Sequence, residues 1–140
     1  MIDTELVTNK LERIRGDILE LRPLLEKESR DIINDNVRLR AVERLFQLVV
    51  DTAIDVNTHI IAESNFQTPD DYRSTFITLG EHKVLPPDFA RKIAPSVGLR
   101  NLIVHQYGTV DLKLMVDHIK NEISDYDTYI TLIHDYTERL

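Results

Sequence analysis

The residues best suited to chemistry lie in one short stretch, Arg100-Asn101-Leu102-Ile103-Val104-His105-Gln106-Tyr107. Arginine is a permanent cation whose planar fork matches a phosphate. Histidine gains or loses a proton near neutral pH. A phosphate clamp beside a proton carrier is what cleavage or transfer of a phosphodiester requires. The aromatic hydroxyl of Tyr107 adds a group that can stack on a base or hydrogen-bond a phosphate. Spacing constrains their use. On a straight helix, five residues separate Arg100 from His105 by about 140° around the axis. The helix must therefore end or loosen near His105, or the pair must converge across a subunit boundary. In a two-fold dimer, two arginines and two histidines would face one cleft.

The elements that must hold this stretch read as all helix. Val7, Leu11, Ile14, Ile18, Leu21 and Leu25 form one apolar stripe over residues 4–28. Pro23 is predicted to kink or interrupt that helix near Arg22. In residues 36–63 the apolar positions, from Leu45 and Phe46 to Ile60 and Ile61, surround most of the axis, so this is predicted to be the central helix. Thr68-Pro69-Asp70-Asp71 predicts a helix start, followed by Tyr72, Phe76 and Leu79 and a stop at Gly80. Pro86-Pro87-Asp88 opens the next helix, which runs to about His105. It should be kinked or in two pieces, because Pro95 and Gly98 lie inside it. Gly108 ends it, and Asp111 begins a last helix with a heptad stripe from Leu112 to Ile133. The expected architecture is an all-α, up-and-down bundle of four to five helices, one domain over residues 1–140. The two long stripes can serve the interior of one bundle or hold a second copy.

Composition narrows the function classes. The chain has 140 residues, 42% hydrophobic and 29% charged, as in ordinary globular proteins. It contains no Cys, which excludes disulfides and thiolate chemistry and suits the cytosol. The start of the chain, Met1-Ile2-Asp3-Thr4-Glu5, lacks a signal-peptide layout, and no apolar run approaches the roughly 20 residues of a membrane span. A cytoplasmic protein is expected. The net charge of −7 argues against a broad nucleic-acid surface. Within residues 82–108, however, Lys83, Arg91, Lys92 and Arg100 face only Asp88, which suits a confined anion site.

The motif Arg100-x4-His105-x-Tyr107, with Asn101 directly after the arginine, resembles that of HepT-type proteins in the HEPN superfamily. Ala41 to Gln47 and Asp55 to His59 on the central helix are similar to the family's second helix, and helix order and length agree over essentially the whole chain. The resemblance implies a helical homodimer acting as a metal-independent ribonuclease toxin, paired with a minimal nucleotidyltransferase antitoxin of the MntA type. It implies that Arg100 and His105 are catalytic and that Asn101 supports them. Tyr107 is then the residue that the partner adenylylates. Such a dimer would cut RNA through its own 2′-OH, with one histidine as base and the other as acid, leaving a 2′,3′-cyclic phosphate.

Asp55 is a further candidate. It lies one turn before His59 on the central helix, and a carboxylate buried there needs a partner, either His59 or Arg100. Arg44 and Asn57 are weaker candidates, assigned to helix–helix contacts. His82, His118 and His134 have no ligand-spaced partners, and neither a metal-binding helix motif nor a glycine-rich phosphate loop occurs. No cofactor is expected. Two rival readings remain open. In one, the bundle is a non-catalytic nucleotide- or phosphate-binding companion of a nucleotidyltransferase. In the other it is a structural dimer in which Arg100 belongs to a charge network.

Overall fold

A computed structural model describes residues 1–106 and 109–140. It is all-α, with seven helical segments: α1 (Thr4–Leu25), α2 (Ser29–Asn34), α3 (Asn36–Glu63), α4 (Tyr72–Glu81), α5 (Pro87–Ile93), α6 (Ser96–His105) and α7 (Leu112–Glu138). The count exceeds four to five for two reasons. The chain breaks at Ala94 and Pro95, making α5 and α6 separate pieces. A six-residue helix, α2, also fills the turn between α1 and α3. Ser29 and Ile32 are buried within that turn.

The starts of the longer helices are capped by aspartates. Asp3, Asp35, Asp71 and Asp111 each accept a hydrogen bond from the backbone N–H three residues on. The Asp71 cap explains why α4 starts there and not at Thr68. Pro23 also behaves differently from the expectation. It sits in the last turn of α1, where its missing N–H forfeits the bond to the Leu19 carbonyl, and the helix nonetheless runs through it to Leu25.

α1 and α3 run antiparallel. The amino terminus pairs with Glu63 at 3.0 Å, Lys10 with Asp55 at 3.5 Å, and Arg38 Nη1 donates to the Leu24 carbonyl at 3.4 Å. α7 returns antiparallel to α1, tied to it by Arg22 with Asp127 and to α2 by the Ser29 hydroxyl with Asp117. α6 runs antiparallel to α3, giving the up-and-down arrangement. Val7, Leu11, Ile14, Ile18 and Leu21 of α1 meet Phe46, Val49, Val50, Ala53, Val56 and Ile60 of α3, and Val116, Ile119, Ile123 and Ile133 of α7, in one buried cluster. Tyr126 and Tyr129 lie fully inside it. Tyr129 donates to Asn57 Oδ1 at 2.6 Å, and Asn57 Nδ2 donates to Thr75 Oγ1 at 3.1 Å, so a polar link satisfies the buried Asn57 and joins α7, α3 and α4. Asn57 thus stands at a helix contact as expected, whereas Arg44 is exposed. Among the described residues, no helix is long and apolar enough to cross a membrane.

Gly80 does not stop α4, which continues to Glu81. Its role is close packing. A Cβ added there would lie 2.7 Å from the Ala90 Cβ of α5. Gly16 is the opposite case, exposed in mid-α1 with nothing within 4 Å of a Cβ. Gly80→Ala is expected to destabilise the fold by about 1–3 kcal/mol through overpacking. Gly16→Ala is expected to stabilise it by about 0.5–1 kcal/mol through helix propensity. Thermal and denaturant unfolding of the two variants checks both signs.

Candidate active site

α6 carries the motif, and its position is fixed at both ends and in the middle. At its start, Ser96 Oγ donates to the Ile93 carbonyl at 2.7 Å, so the Tyr126 hydroxyl, also 2.7 Å away, donates to Ser96. Tyr126 is fully buried, and burial pushes its ionisation far above the ordinary tyrosine range, so it serves only as a neutral donor. In the middle, Arg100 Nε donates to Asp51 Oδ1 of α3 at 2.6 Å. At the end, Gln106 closes the helix in a left-handed conformation (φ 40°), with its N–H on the Leu102 carbonyl at 2.9 Å. Ile103 and Leu99 are buried and turn α6 toward the core.

This anchoring orients the guanidinium. The Arg100 side chain is only 17% exposed, so a specific partner decides where its fork points. Asp51 holds Nε, and Nη1 donates to Asn101 Oδ1 at 3.0 Å. The two bonds occupy two of the five N–H directions of a guanidinium and leave a fork for an anion. Asp51 is itself steadied by Gln47, whose Nε2 donates to Oδ2 at 3.4 Å. Asn101 therefore stands beside the arginine, in contact with it.

His105 is exposed at the last position of α6. The helix is continuous from Ser96 to His105, so the two residues take the separated directions that five-residue spacing dictates. Arg100 faces α3. An open groove of about 650 Å³ runs from it between α1, α3 and α4, lined by Lys10, Asp51, Asp55, His59 and Tyr72, and His105 is not among its walls. Among the described residues, the groove beside Arg100 is thus walled without His105. Tyr107 and Gly108, including the expected helix stop at Gly108, lie outside the described residues; α6 ends earlier, at His105.

Asp55 is not the buried partner that its place on the central helix suggested. It is 61% exposed and pairs with Lys10, and His59 instead accepts a hydrogen bond from the Asp3 N–H at 2.9 Å. The partner of Arg100 is Asp51, one turn earlier. Asp55 shares the groove with Arg100 without touching it. Sequence reasoning missed Asp51 and also Glu43, a carboxylate buried on α3. A signal was available. Glu43, Gln47, Asp51 and Asp55 recur every fourth residue, a polar stripe down an otherwise apolar helix.

On the other side of α6 lies a more apolar groove of about 440 Å³. Leu99, Leu102, Leu114 and Met115 line it, with His118 and Glu122 of α7. Of these, Leu102 and Leu114 expose 40% and 53% of their surface. Glu122 Oε2 is buried without a hydrogen-bond partner. Among the described residues, no group of three or more His, Asp or Glu side chains is arranged to hold a metal ion.

The chain is thus a small helical bundle that presents an oriented arginine and, five residues on, a helix-terminal histidine. Comparisons with known proteins give its family. Residues 14–137 match the family described as Ribonuclease HepT-like. The chain is 30% identical over 135 residues to the tRNA nuclease HepT of Aphanizomenon flos-aquae, spanning 96% of this chain and 92% of that protein. It is 25% identical over 87 residues to the mRNA nuclease HepT of Shewanella oneidensis, spanning 62% and 65%. Its fold matches the tri-AMPylated HEPN toxin of Shewanella oneidensis, solved in complex with an MNT antitoxin, at a TM-score of 0.83 and 22% identity over 95% of this chain and 98% of that one. The chain belongs to the Ribonuclease HepT-like family.

Glu122 yields a pH test. Desolvation, only partly offset by His118, raises its ionisation above the ordinary carboxylate value. A raised folded-state value means that ionised Glu122 opposes folding. Its favourable contribution is complete below the unfolded value and is lost as pH rises through the folded one. Glu122→Gln is therefore expected to raise Tm at pH 7 and to leave it nearly unchanged at pH 4. An equal gain at both values would refute the assignment.

Proposed function

We propose that this protein is the toxin of a toxin–antitoxin pair, an endoribonuclease that cuts RNA at a cleft between two copies of the chain. The single observation that carries the reading is the guanidinium of Arg100, half-buried and aimed by Asp51, on the helix that ends in an exposed His105. The separation of the two around α6 favours a shared cleft, since a second copy supplies a second arginine and a second histidine. Residues 1–140 then act as one HEPN-like domain, working in the cytoplasm.

In this mechanism the scissile phosphate sits on the open fork of Arg100. One imidazole takes the 2′-OH proton. The 2′ oxygen attacks phosphorus, the bond to the 5′ oxygen breaks, and the other imidazole protonates that leaving oxygen. The products are a 2′,3′-cyclic phosphate and a 5′-OH. The arginines stabilise the negative charge that builds on the phosphoryl oxygens. Asn101 holds Nη1, and Asp55 contributes to the groove beside the site. The chemistry needs no cofactor or metal.

The antitoxin is a minimal nucleotidyltransferase of the MntA type, and it silences the toxin by adenylylating Tyr107. The nuclease names of the sequence relatives support the activity. The AMPylated toxin bound to its antitoxin supports the partner and the modification. A nucleotidyl group at Tyr107 would bring bulk and negative charge next to an anion site and so exclude RNA.

Purified protein incubated with RNA in EDTA is expected to yield fragments ending in 2′,3′-cyclic phosphate and 5′-OH. Arg100→Ala and His105→Ala are each expected to slow cleavage by about 10²–10⁴-fold while remaining folded. Parent-like cleavage by both variants would contradict the mechanism. Loss of all activity in EDTA would contradict its metal independence.

A further inference from the structure

The end of α6 is held by a contact that the cleavage chemistry does not use. Glu43 of α3 is buried, with its side chain 5% exposed. Its Oε2 accepts from Gln106 Nε2 at 2.5 Å, and its Oε1 accepts from Arg40 Nη1 at 2.7 Å. A carboxylate taken out of water is strongly unfavourable unless such donors satisfy it. Leucine or methionine would fill this place on a core-facing helix at no such cost. The donor from α6 comes from the residue that immediately follows His105. That residue, Gln106, also holds a left-handed backbone (φ 40°, ψ 44°), which is unfavourable by roughly 1 kcal/mol for a side chain other than glycine.

We propose that Glu43 is a positioning residue for His105, acting through Gln106 as a latch on the carboxyl end of α6. The inference rests on the reading of His105 as a catalytic group. The charge-assisted bond offsets the backbone strain at Gln106 and fixes the point where the chain leaves the helix. Gln106 follows His105 directly, so holding it sets the backbone orientation from which the imidazole projects. Two bonds between α3 and α6 then frame the motif: Asp51 to Arg100, and Glu43 to Gln106 two turns away along α3. Each aims one of the two groups that must meet the phosphate. The geometry of an acid–base group matters steeply, because a displacement of about 1 Å can lower turnover on the order of 10²-fold.

A polarity swap tests the latch. Gln106→Glu sets two carboxylates against each other and should open it. Adding Glu43→Gln restores the hydrogen bond with donor and acceptor exchanged. With RNA as substrate, Gln106→Glu is expected to lower kcat on the order of tenfold with KM within about twofold. The double variant should recover most of that loss. A Gln106→Glu enzyme as fast as the parent, or a double variant no faster than Gln106→Glu, overturns the latch. A second readout needs no cleavage. In protein with isotope-labelled histidine, the His105 ring signals, assigned with His105→Ala, should shift or broaden in Gln106→Glu and return in the double variant. Unchanged ring signals overturn the latch as well. A parent that cuts no RNA would instead count against the proposed function, and the ring signals would still decide the latch.

Discussion

The account turns on one ion pair between helices, Arg100 with Asp51. A guanidinium on an exposed surface samples many rotamers and holds a phosphate loosely. Half-buried between α3 and α6, with one nitrogen committed to a carboxylate and another to Asn101, it presents a fork in a defined direction. The pair has a second consequence. It offsets the charge of Arg100 before any anion arrives, so the site is less positive than the motif alone suggests. Affinity for RNA then depends on geometry more than on net attraction, in keeping with a chain of net charge −7.

The bundle holds that pair in place. α3 is anchored by the packing of α1 and α7 on its apolar faces, with the buried link from Tyr129 through Asn57 to Thr75 keeping α7, α3 and α4 in register. α6 is short and would not be stable alone. Its place comes from Leu99 and Ile103 in the core, from Tyr126 on Ser96 and from Glu43 on Gln106. The side of α6 turned away from Arg100 keeps Leu102 exposed. In the proposed dimer, that exposed side, which also bears His105, is available to a second copy.

Much of the frame was legible in the sequence. The α1 and α7 stripes gave the buried faces, Pro95 and Gly98 marked the break between α5 and α6, and Asp111 caps α7 as its type and position indicated. What failed did so for physical reasons. The cap of α4 fell to Asp71 because its carboxylate reaches the Ser74 N–H. α2 is too short for periodicity to reveal. The sequence pointed to His59 or Arg100 as the partner of Asp55; it pairs with Lys10, and Arg100 pairs with Asp51 one turn earlier. Two acids four residues apart differ by only about 40° around a helix, and the placement of α6 decides between them. That placement is tertiary. So is the burial of Glu43: the four-residue polar stripe marks it as a candidate, but only the packing of α6 on α3 sets how deeply it is covered.

The most direct test of the central claim is single-turnover RNA cleavage by Asp51→Ala, with folding checked by circular dichroism. If Asp51 aims Arg100, the cleavage step should slow on the order of 10²-fold while the variant stays helical and still binds RNA. A folded Asp51→Ala protein that cuts RNA at the parent rate would show that the carboxylate does not set the geometry of the site.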